Sequence, residues 1–591
     1  MKWKIPPLKK FLSLRFLSLH LYLIVLLFQL SLLIRAPFFY LAGEIVFIAL
    51  VVLLGTGLAA RLRQEKILVL ALGLIILLRL PFYLHHDGLM TTSDNAIDAL
   101  QAVEMQDTHV PPFFLLEDVK HIGTIGYMWT SFFNGLFGPG YLVYVLVQLG
   151  LFIAFLFALE GFFKVSVGRS VLLFFLLLHF AFIETLFDTS LSLRGGPYLE
   201  MILFFAFGAI LFDFSLENKT RIFLSYVFVF FSVYIHPLSS LFAGSFLLCT
   251  LVYALRGRKL LRTASLAAAG MAAGLIHWFY YLLFFPAKPV STGSWEQIGL
   301  IPFSKITPAY LGRFLGNFWE AFRNLFSFEF SYLRTIMPGG TGRAVLSVLN
   351  ESVIYLSLAV LAAGAVIIVL KTIRLLAKKD GLRSDDWVTL FLFFLLGAGL
   401  VKVFVFYPPH QEPRHNFEWM FLVIASYLLV SSRWLKSVPL KSWKTIAAAC
   451  LLLALAAPHA LYFYKNAAAK EASYRELMTV LNQNKVRALT ADFNIAYSVY
   501  YLSGRRIQVS DSLGPFSVPD FYPEQRARVD KLPAEKKAYV FFSSSYPSRP
   551  WHRQATEVVR TRLLDRFRKE GTPCKVIKLK DYLVVIPALG R

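Results

Sequence analysis

Long apolar blocks recur along the chain, separated by short polar connections. Stretches 142–159, 345–370 and 445–463 are close to free of charge, and each comes near the roughly 20 residues a helix needs to cross hydrocarbon. At that length a backbone in lipid satisfies its own hydrogen bonds only as a helix. Spans are expected at 19–35, 38–59, 67–84, 141–161, 170–187, 198–214, 222–235, 237–254, 264–285, 345–370, 388–406, 416–432 and 445–463. Three connections are too long for turns: 85–122, 286–344 and the tail from 466 onward. In the tail the pattern shortens and alternates. Strands are expected at 488–491 and 507–510 around a helix near 494–503, a further strand at 538–542, a helix at 553–570, and a pair of strands within 575–586 around Lys580 and Asp581. The expected fold class is an all-α polytopic transmembrane protein of about 13 helices with a small α/β domain. Residues 1–465 form the membrane domain and 466–591 the water-soluble one.

Composition agrees with this picture. The chain has 591 residues, 57% of them hydrophobic and only 16% charged, with a mean hydropathy of +0.59. A soluble chain of this length needs more charge to cover its surface. Cys249, Cys450 and Cys574 give neither a disulfide framework nor a zinc-type spacing. The net charge of +24 would suggest nucleic acid on a soluble protein, but here it alternates in position. Every second connection is rich in Lys and Arg, beginning with Lys2, Lys4, Lys9, Lys10 and Arg15 and continuing with Arg61, Arg63 and Lys66. Later basic sets are Lys164 and Arg169, Lys219 and Arg221, Arg256 to Arg262, Lys371 to Arg383, and Arg433 to Lys444. The intervening short loops hold only Arg35, Lys120, Arg194 and Arg414. By the positive-inside rule the N-terminus is cytoplasmic and the C-terminal domain extracytoplasmic. No small-residue cleavage site follows the first apolar run, which is expected to remain as a span.

The polar residues that interrupt this pattern carry the candidate chemistry. Loop 85–122 contains S-D-N-A-I-D-A-L-Q-A-V-E-M. Ser93 suits an N-cap, with Ile97, Leu100 and Val103 on one side of the helix that follows. Asp94 then sits in the first turn, where the helix dipole favours the ionised carboxylate that a general base needs. Asp98 lies one turn later on the same face. A plain capping role for Ser93-Asp94 fits the spacing equally. Lys120 and His121 mark the return to the membrane, where cations suit a phosphate headgroup, or where Lys120 snorkels to the interface. Glu184 and Asp188 close the fifth span, and L-R-G-G-P-Y-L-E brings Arg194 and Glu200; this is either a tight charged turn or a close backbone approach to a ligand. His179 and His236 lie in or at the ends of spans, for packing or function. The segment H-Q-E-P-R-H-N-F-E packs Glu412, Arg414, His415 and Glu418 between two spans. Arg414 offers a planar fork for phosphate, or one half of a structural ion pair. The sequence has no P-loop, G-x-S-x-G, H-E-x-x-H or G-x-G-x-x-G.

These segments, in this order, resemble a known family. The S-D-N-A-I-D run, P-P-F-F, and K-H-I-G-T-I-G-Y-M-W-T-S-F-F-N-G-L-F-G are similar to the first large outer loop of bacterial GT-C-fold glycosyltransferases, the protein-mannosyltransferase-like enzymes that use polyprenyl-phosphate sugars. R-G-G-P-Y-L-E resembles their G-G-Y-x-E turn and E-P-R-H their E-P-R-Y. The run T-A-D-F-N-I-A-Y-S-V-Y-Y-L-S-G-R-R-I-Q-V-S resembles the start of their outer C-terminal domain. The resemblance implies an inverting transfer of a sugar from a polyprenyl-phosphate donor to an acceptor hydroxyl on a glycan, lipid or protein, at the outer face of the cytoplasmic membrane. Asp94 would be the base. Arg414, Lys120, Arg194 and His121 would hold the donor phosphate, with Asp98, Glu184, Glu200, Glu412 and His415 as supporting polar groups. Asn95 stands where the family commonly has Glu and His415 where Tyr is usual. The first removes a carboxylate ligand, so a divalent metal is left open and no metal-binding residue is assigned. No nucleic-acid partner is expected.

Two other classes compete. A transporter or lipid-linked-sugar flippase would also use intramembrane charge and a broken helix near His236-Pro237, but would place its charges near the bilayer midplane. A scaffold presenting the C-terminal domain leaves the loop acids without a purpose. The charge pattern generates a direct test of topology. A reporter that is active only outside the cytoplasm, fused after Lys470, is expected to be active; activity of a cytoplasmic reporter alone at that point would overturn the orientation.

Overall fold

The computed structural model describes residues 14–64, 66–89, 93–113, 123–167, 196–284, 312, 315–316, 318–320, 322–323, 325, 341–378, 382–383, 386–405, 416–437, 464–465, 467–513, 522–543 and 550–587. It is mostly helical with one small sheet. The helices are α1 (Leu14–Ile34), α2 (Pro37–Gln64), α3 (Lys66–Leu84), α4 (Ser93–Thr108), α5 (Ile125–Phe137), α6 (Tyr141–Val167), α7 (Gly196–Leu211), α8 (Lys219–Ile235), α9 (Ser239–Arg256), α10 (Leu260–Phe284), α11 (Thr341–Ala377), α12 (Trp387–Val405) and α13 (Phe417–Ser437). Every expected span that falls within the described residues is a helix. The stretches 170–187 and 445–463 lie outside them.

Among the described residues six helices are long and apolar enough to cross a membrane, and α7, α12 and α13 carry shorter apolar stretches. Their outer faces are apolar too: Phe38, Ile45, Leu261 and Leu283 are 71%, 66%, 83% and 78% exposed. Side chains of that kind on so many helices call for lipid as their solvent. This is a multi-pass membrane protein.

Packing inside the bundle follows from small residues. The α8–α10 contact is close because Gly270 and Gly274 have no side chain. A Cβ at Gly270 would lie 2.9 Å from the Phe223 carbonyl oxygen, and one at Gly274 would lie 2.7 Å from that of Val227. Where lipid competes with side chains for apolar contact, such close backbone approach is a main source of helix association. Buried polar groups then settle within the bundle. Gln29 of α1 donates to the carbonyls of Ala273 and Gly274 and sits 3.2 Å from His277 Nδ1. Ser225 Oγ donates to the Gly208 carbonyl at 2.7 Å.

Among the described residues the two ends of the bundle differ in charge. At one end lie Arg61 on Glu160, Arg221 on the Leu211 carbonyl, Lys259 on Glu217 and Arg256 on the carbonyls of Leu375, Leu376 and Lys378. At the other end the start of α7, the end of α8 and the start of α13 meet. The Tyr198 ring lies 4.4 Å from His236 and 6.1 Å from Phe417.

Past the bundle come helix α14 (467–483) and a five-stranded sheet with α15 (Phe493–Leu502), α16 (Pro523–Asp530) and α17 (Pro550–Lys569). The strands are β1 (Ala488–Ala491), β2 (Gln508–Ser510), β3 (Ala538–Phe542), β4 (Cys574–Lys578) and β5 (Tyr582–Pro587), in the order β2-β1-β3-β5-β4. β1 pairs in parallel with β2 and β3, while β5 is antiparallel to β3 and β4. The central strands β1 and β3 are buried along their whole length, as a sheet covered on both faces requires. Tyr539, Phe541, Leu583 and Val585 pack with Phe567 of α17 on one face.

A buried ion pair locks the end of α12 to the start of α13: Lys402 Nζ donates to Glu418 Oε1 at 2.7 Å, with the carboxylate side chain fully enclosed. Removing one partner of such a pair leaves an uncompensated charge and typically costs about 3–5 kcal/mol. Lys402→Met is therefore expected to destabilise the protein by that order in thermal or denaturant unfolding in detergent, and adding Glu418→Leu should recover most of it. Wild-type stability in the single variant would remove the pair from the stabilising interactions.

Candidate functional site

The acid-bearing helix α4 is enclosed on two sides. Its apolar positions Ala96, Ile97, Ala99, Leu100 and Ala102 are buried, and it packs against α5 and against α15. Asp98 is also fully buried, and accepts a hydrogen bond of 3.0 Å from the Tyr127 hydroxyl of α5. The first turn of the helix holds Asp94 at its second residue; the side chains of Ser93 and Asp94 lie outside the described residues. Asn95, where the resembling family has Glu, is buried.

What sets α5 in place is Tyr234, at the end of α8. Its hydroxyl donates to the Phe113 carbonyl at 2.7 Å and accepts from the Thr124 backbone N–H at 3.3 Å. Thr124, the residue just before α5, spends its own hydroxyl on the Pro112 carbonyl at 2.7 Å. The Gly123 N–H donates to the Ile235 carbonyl at 3.0 Å. Gly123 is needed here because a Cβ would meet the Tyr234 carbonyl oxygen at 2.9 Å. Both ends of segment 113–123 are thus tied to the same helix terminus, and the Phe113 ring rests 5.1 Å from Tyr281.

Glu200 approaches α5 from the other side. It lies one turn into α7, is buried, and its carboxylate meets the α5 backbone at Gly126, the second residue of that helix. Trp129 is its polar neighbour. A carboxylate beside the first turn of a helix gains from the helix dipole. Asp98 and Glu200 therefore flank adjacent residues of α5, Tyr127 and Gly126.

The C-terminal segment completes the enclosure. Tyr144 of α6 donates to the Ala99 carbonyl and accepts from Asn134 and from Tyr501 of α15, all at 3.2–3.3 Å. Arg505 pairs with Asp107 at 2.9 Å, and His85 lies 2.8 Å from Glu471. Burial beside Tyr522 raises the carboxyl pKa of Glu104, while the phenol and Arg505 act against that shift. Burial likewise raises that of Asp87.

Of the residues singled out in the sequence, Asp98 and Glu200 are thus brought to one helix. Lys120, His121, Glu184, Arg194, Glu412, Arg414 and His415 lie outside the described residues. His236 is buried, and its Nδ1 accepts from the Leu238 N–H at 3.2 Å, in the break between α8 and α9. Sequence reasoning missed Tyr127, Tyr234 and Lys402. Only Lys402 left a local signal, as a lysine inside an apolar stretch.

The fold and this end of the bundle define a multi-pass membrane protein with buried acids gathered around a short helix, beneath an attached α/β segment. No family model matches the chain, and no curated protein matches it. Among solved structures the chain is similar to ArnT from Cupriavidus metallidurans bound to undecaprenyl phosphate, with a TM-score of 0.46, 11% identity, and coverage of 87% of this chain and 97% of that one. It is similar also to the apo state of the same protein, with a TM-score of 0.43, 11% identity, and coverage of 88% and 98%.

The contact of Glu200 with Gly126 makes a sharp expectation. In Gly126→Ala the new methyl meets the carboxylate, and overpacking of this kind costs about 1–3 kcal/mol. Glu200→Ala in the same chain clears the space, so the double variant is expected to unfold at a higher temperature than Gly126→Ala alone. A double variant no more stable than the single one would show that the two residues do not touch.

Proposed function

We propose that the protein is a membrane glycosyltransferase that moves a sugar from a polyprenyl-phosphate donor to an acceptor hydroxyl at the outer face of the cytoplasmic membrane. The observation that carries this reading is the enclosure of the acid-bearing helix α4 between the bundle and the α/β segment, at the end of the bundle opposite the clustered cations. The order of motifs along the sequence, from S-D-N-A-I-D to E-P-R-H, supports it.

In this reading residues 1–465 are the membrane domain of a GT-C-like fold with about 13 spans, and 466–591 the extracytoplasmic domain. The donor's prenyl tail stays in lipid and its phosphate meets Arg414, assisted by Lys120, Arg194 and His121. Arg414 presents two parallel N–H groups to phosphate oxygens, which a lysine does not. Asp94 accepts the proton of the acceptor hydroxyl. That oxygen attacks the anomeric carbon from the side opposite the phosphate, the carbon–oxygen bond to the phosphate breaks, and the electron pair leaves on the lipid phosphate. The sugar inverts. Because the leaving group is already a phosphate held by cations, the reaction needs no nucleotide. Asp98 is the less suitable base, since Tyr127 already occupies one of its oxygens and burial encloses it. Glu184, Glu412 and His415 are supporting polar groups.

The test is sugar transfer from polyprenyl-phosphate donors by the purified protein. Asp94→Asn keeps the size of the side chain and removes the basic oxygen, so turnover is expected to fall by about a hundred- to ten-thousand-fold, with donor binding retained. Arg414→Lys is expected to weaken donor binding despite keeping the charge. Near-normal turnover in Asp94→Asn would dismiss this residue as the base; absence of any transfer by the wild-type protein across donors would dismiss the function.

A further inference from the structure

Four strands of the sheet run in one direction. β1 is parallel to β2 and to β3, and β4 joins them because both β3 and β4 are antiparallel to β5. Their N-terminal ends therefore share one edge, and cations stand at each of them. Lys485 and Arg487 precede β1, Arg505 and Arg506 precede β2, Lys537 precedes β3, and Lys575 is the second residue of β4. The opposite ends of β1 and β2 lead instead into Asp492 and Asp511.

Side-chain contacts tie this edge together. Lys575 Nζ donates to Asn484 Oδ1 at 3.0 Å, which brings the start of β4 to the turn before β1. Helix α17 runs back to the same edge and has a basic last turn. Burial lowers the Lys537 pKa, Asp530 opposes the shift, and Arg566 of that last turn reinforces it. Arg505 pairs with Asp107, near the end of α4, at 2.9 Å, so the β2 end of the edge stands beside the acid-bearing helix. Neighbouring strands lie about 4.8 Å apart, and the edge therefore extends about 19 Å from β2 to β4.

Structure accounts for only part of this charge. Cations in the last turn of a helix answer its dipole, which covers the end of α17. Lys485, Arg487 and Arg506 lie past the ends of α14 and α15, are exposed, and make no ion pair among the described residues. Topology does not call for them either, because the positive-inside rule does not govern a domain of this length. Residues 466–591 nevertheless carry 22 Lys and Arg against 12 Asp and Glu. Charge of one sign gathered on an edge raises the local concentration of an oppositely charged partner.

The shape of the edge selects that partner. A row of exposed cations is open along its length, and it meets a chain of repeated negative charge at several points at once, each contact releasing counterions. Lipid headgroups act on cations within about a Debye length of the bilayer surface, roughly 8–10 Å. The short outer loops there hold only Arg35, Lys120, Arg194 and Arg414, so the basic charge is placed on the domain and away from the lipid surface.

We propose that this edge is a track for an anionic glycan chain, which lies across the starts of the parallel strands and presents its acceptor hydroxyl at α4, where Arg505 meets Asp107. This rests on the glycosyltransferase reading and deepens it, by naming the acceptor as a polymer that carries carboxylate or phosphate groups.

The experiment measures binding of the full-length protein, in nanodiscs of neutral lipid, to carboxymethyl dextran and to unmodified dextran of the same length. The wild type is expected to bind the carboxymethylated chain at least about ten-fold more tightly, with a preference that fades as salt rises. Arg487→Gln with Arg506→Gln is expected to weaken that binding about ten-fold. Lys578→Gln with Lys580→Gln removes equal charge at the other end of β4 and is expected to weaken it less than about two-fold. Arg487→Lys with Arg506→Lys keeps the charge and should keep most of the affinity. The inference is overturned if the wild type shows no preference for the charged chain, if the two glutamine pairs lose affinity equally, or if the lysine pair binds no better than its glutamine counterpart. It is overturned also if vesicles of anionic phospholipid bind through Arg487 and Arg506 more tightly than the charged chain does. None of these readouts uses a donor, so their failure leaves the glycosyltransferase reading in place; that reading falls on the absence of sugar transfer, which the binding measurements do not touch.

Discussion

The candidate site depends on one phenol. Tyr234 closes α8 at the point where the chain between Pro112 and Thr124 returns to the bundle, and its hydroxyl holds both sides of that return. Without it the Phe113 carbonyl and the Thr124 N–H would be buried with nothing to bond, in a place where water does not compensate. The consequence reaches past the loop. Thr124 starts α5, α5 presents Tyr127 to Asp98 and Gly126 to Glu200, and α4 takes its orientation from that contact. A buried hydroxyl that satisfies two backbone groups of a connecting segment thereby fixes where two carboxylates stand, although neither touches it through a hydrogen bond among the described residues.

Much of the fold was legible because its signals are local. An apolar run near the length of a bilayer, bounded by Lys and Arg, defines a helix without reference to anything else in the chain. Every such run that falls within the described residues is helical. Alternation in the tail was equally direct: the strands at Ala488–Ala491 and Ala538–Phe542 lie at the expected residues, and the pair near the end turns at Lys580 and Asp581. The candidate site was legible only in part. Asp98 and Glu200 stood out as acids in an apolar setting, but their partners come from elsewhere in the chain. Nothing around Tyr127 announces that its hydroxyl meets a carboxylate 29 positions away, and nothing around Gly126 announces a glutamate from α7. Such pairings are properties of packing, and a single sequence carries no local trace of them. Lys402 is the exception. A lysine near the end of an apolar helix requires a partner or a path to water, and the acid that answers it lies 16 positions on, across the next connection.

The two ends of the bundle use charge in different ways. At the basic end the arginines finish helices. Arg256 donates to carbonyls at the end of α11 and Arg221 to the last carbonyl of α7, so the side chains close orphan acceptors where helices stop. These charges are consumed by structure. At the opposite end Glu200, Asn416, Glu418 and Trp419 each keep at least one atom without a hydrogen bond among the described residues, as Arg262, Thr263 and Thr372 do at the basic end.

The attached α/β segment explains how that end is kept dry. Helix α4 carries only one apolar face, and a 16-residue helix of low hydrophobicity does not hold its place on a membrane surface unaided. It is held because the bundle takes one side through α5 and Tyr144, while α15 takes the other, with Tyr501 bonded to Tyr144 and Arg505, just past α15, paired with Asp107. Aromatic rings do most of this work: Tyr141 and Tyr501 stand 4.5 Å apart, and Tyr144 bridges Ala99, Asn134 and Tyr501 with a single hydroxyl. Aromatic side chains with a polar tip suit such a seam, since they bury wide apolar faces and still satisfy a hydrogen bond at its edge. The peripheral ion pairs, Arg505 with Asp107 and His85 with Glu471, are more exposed and add orientation more than strength. Helix α15 and the turn after it therefore serve as a clamp on α4. They enclose Asp98 where a free loop helix would leave it in water, and they are themselves anchored on the first turn of α6 through Tyr141 and Tyr144.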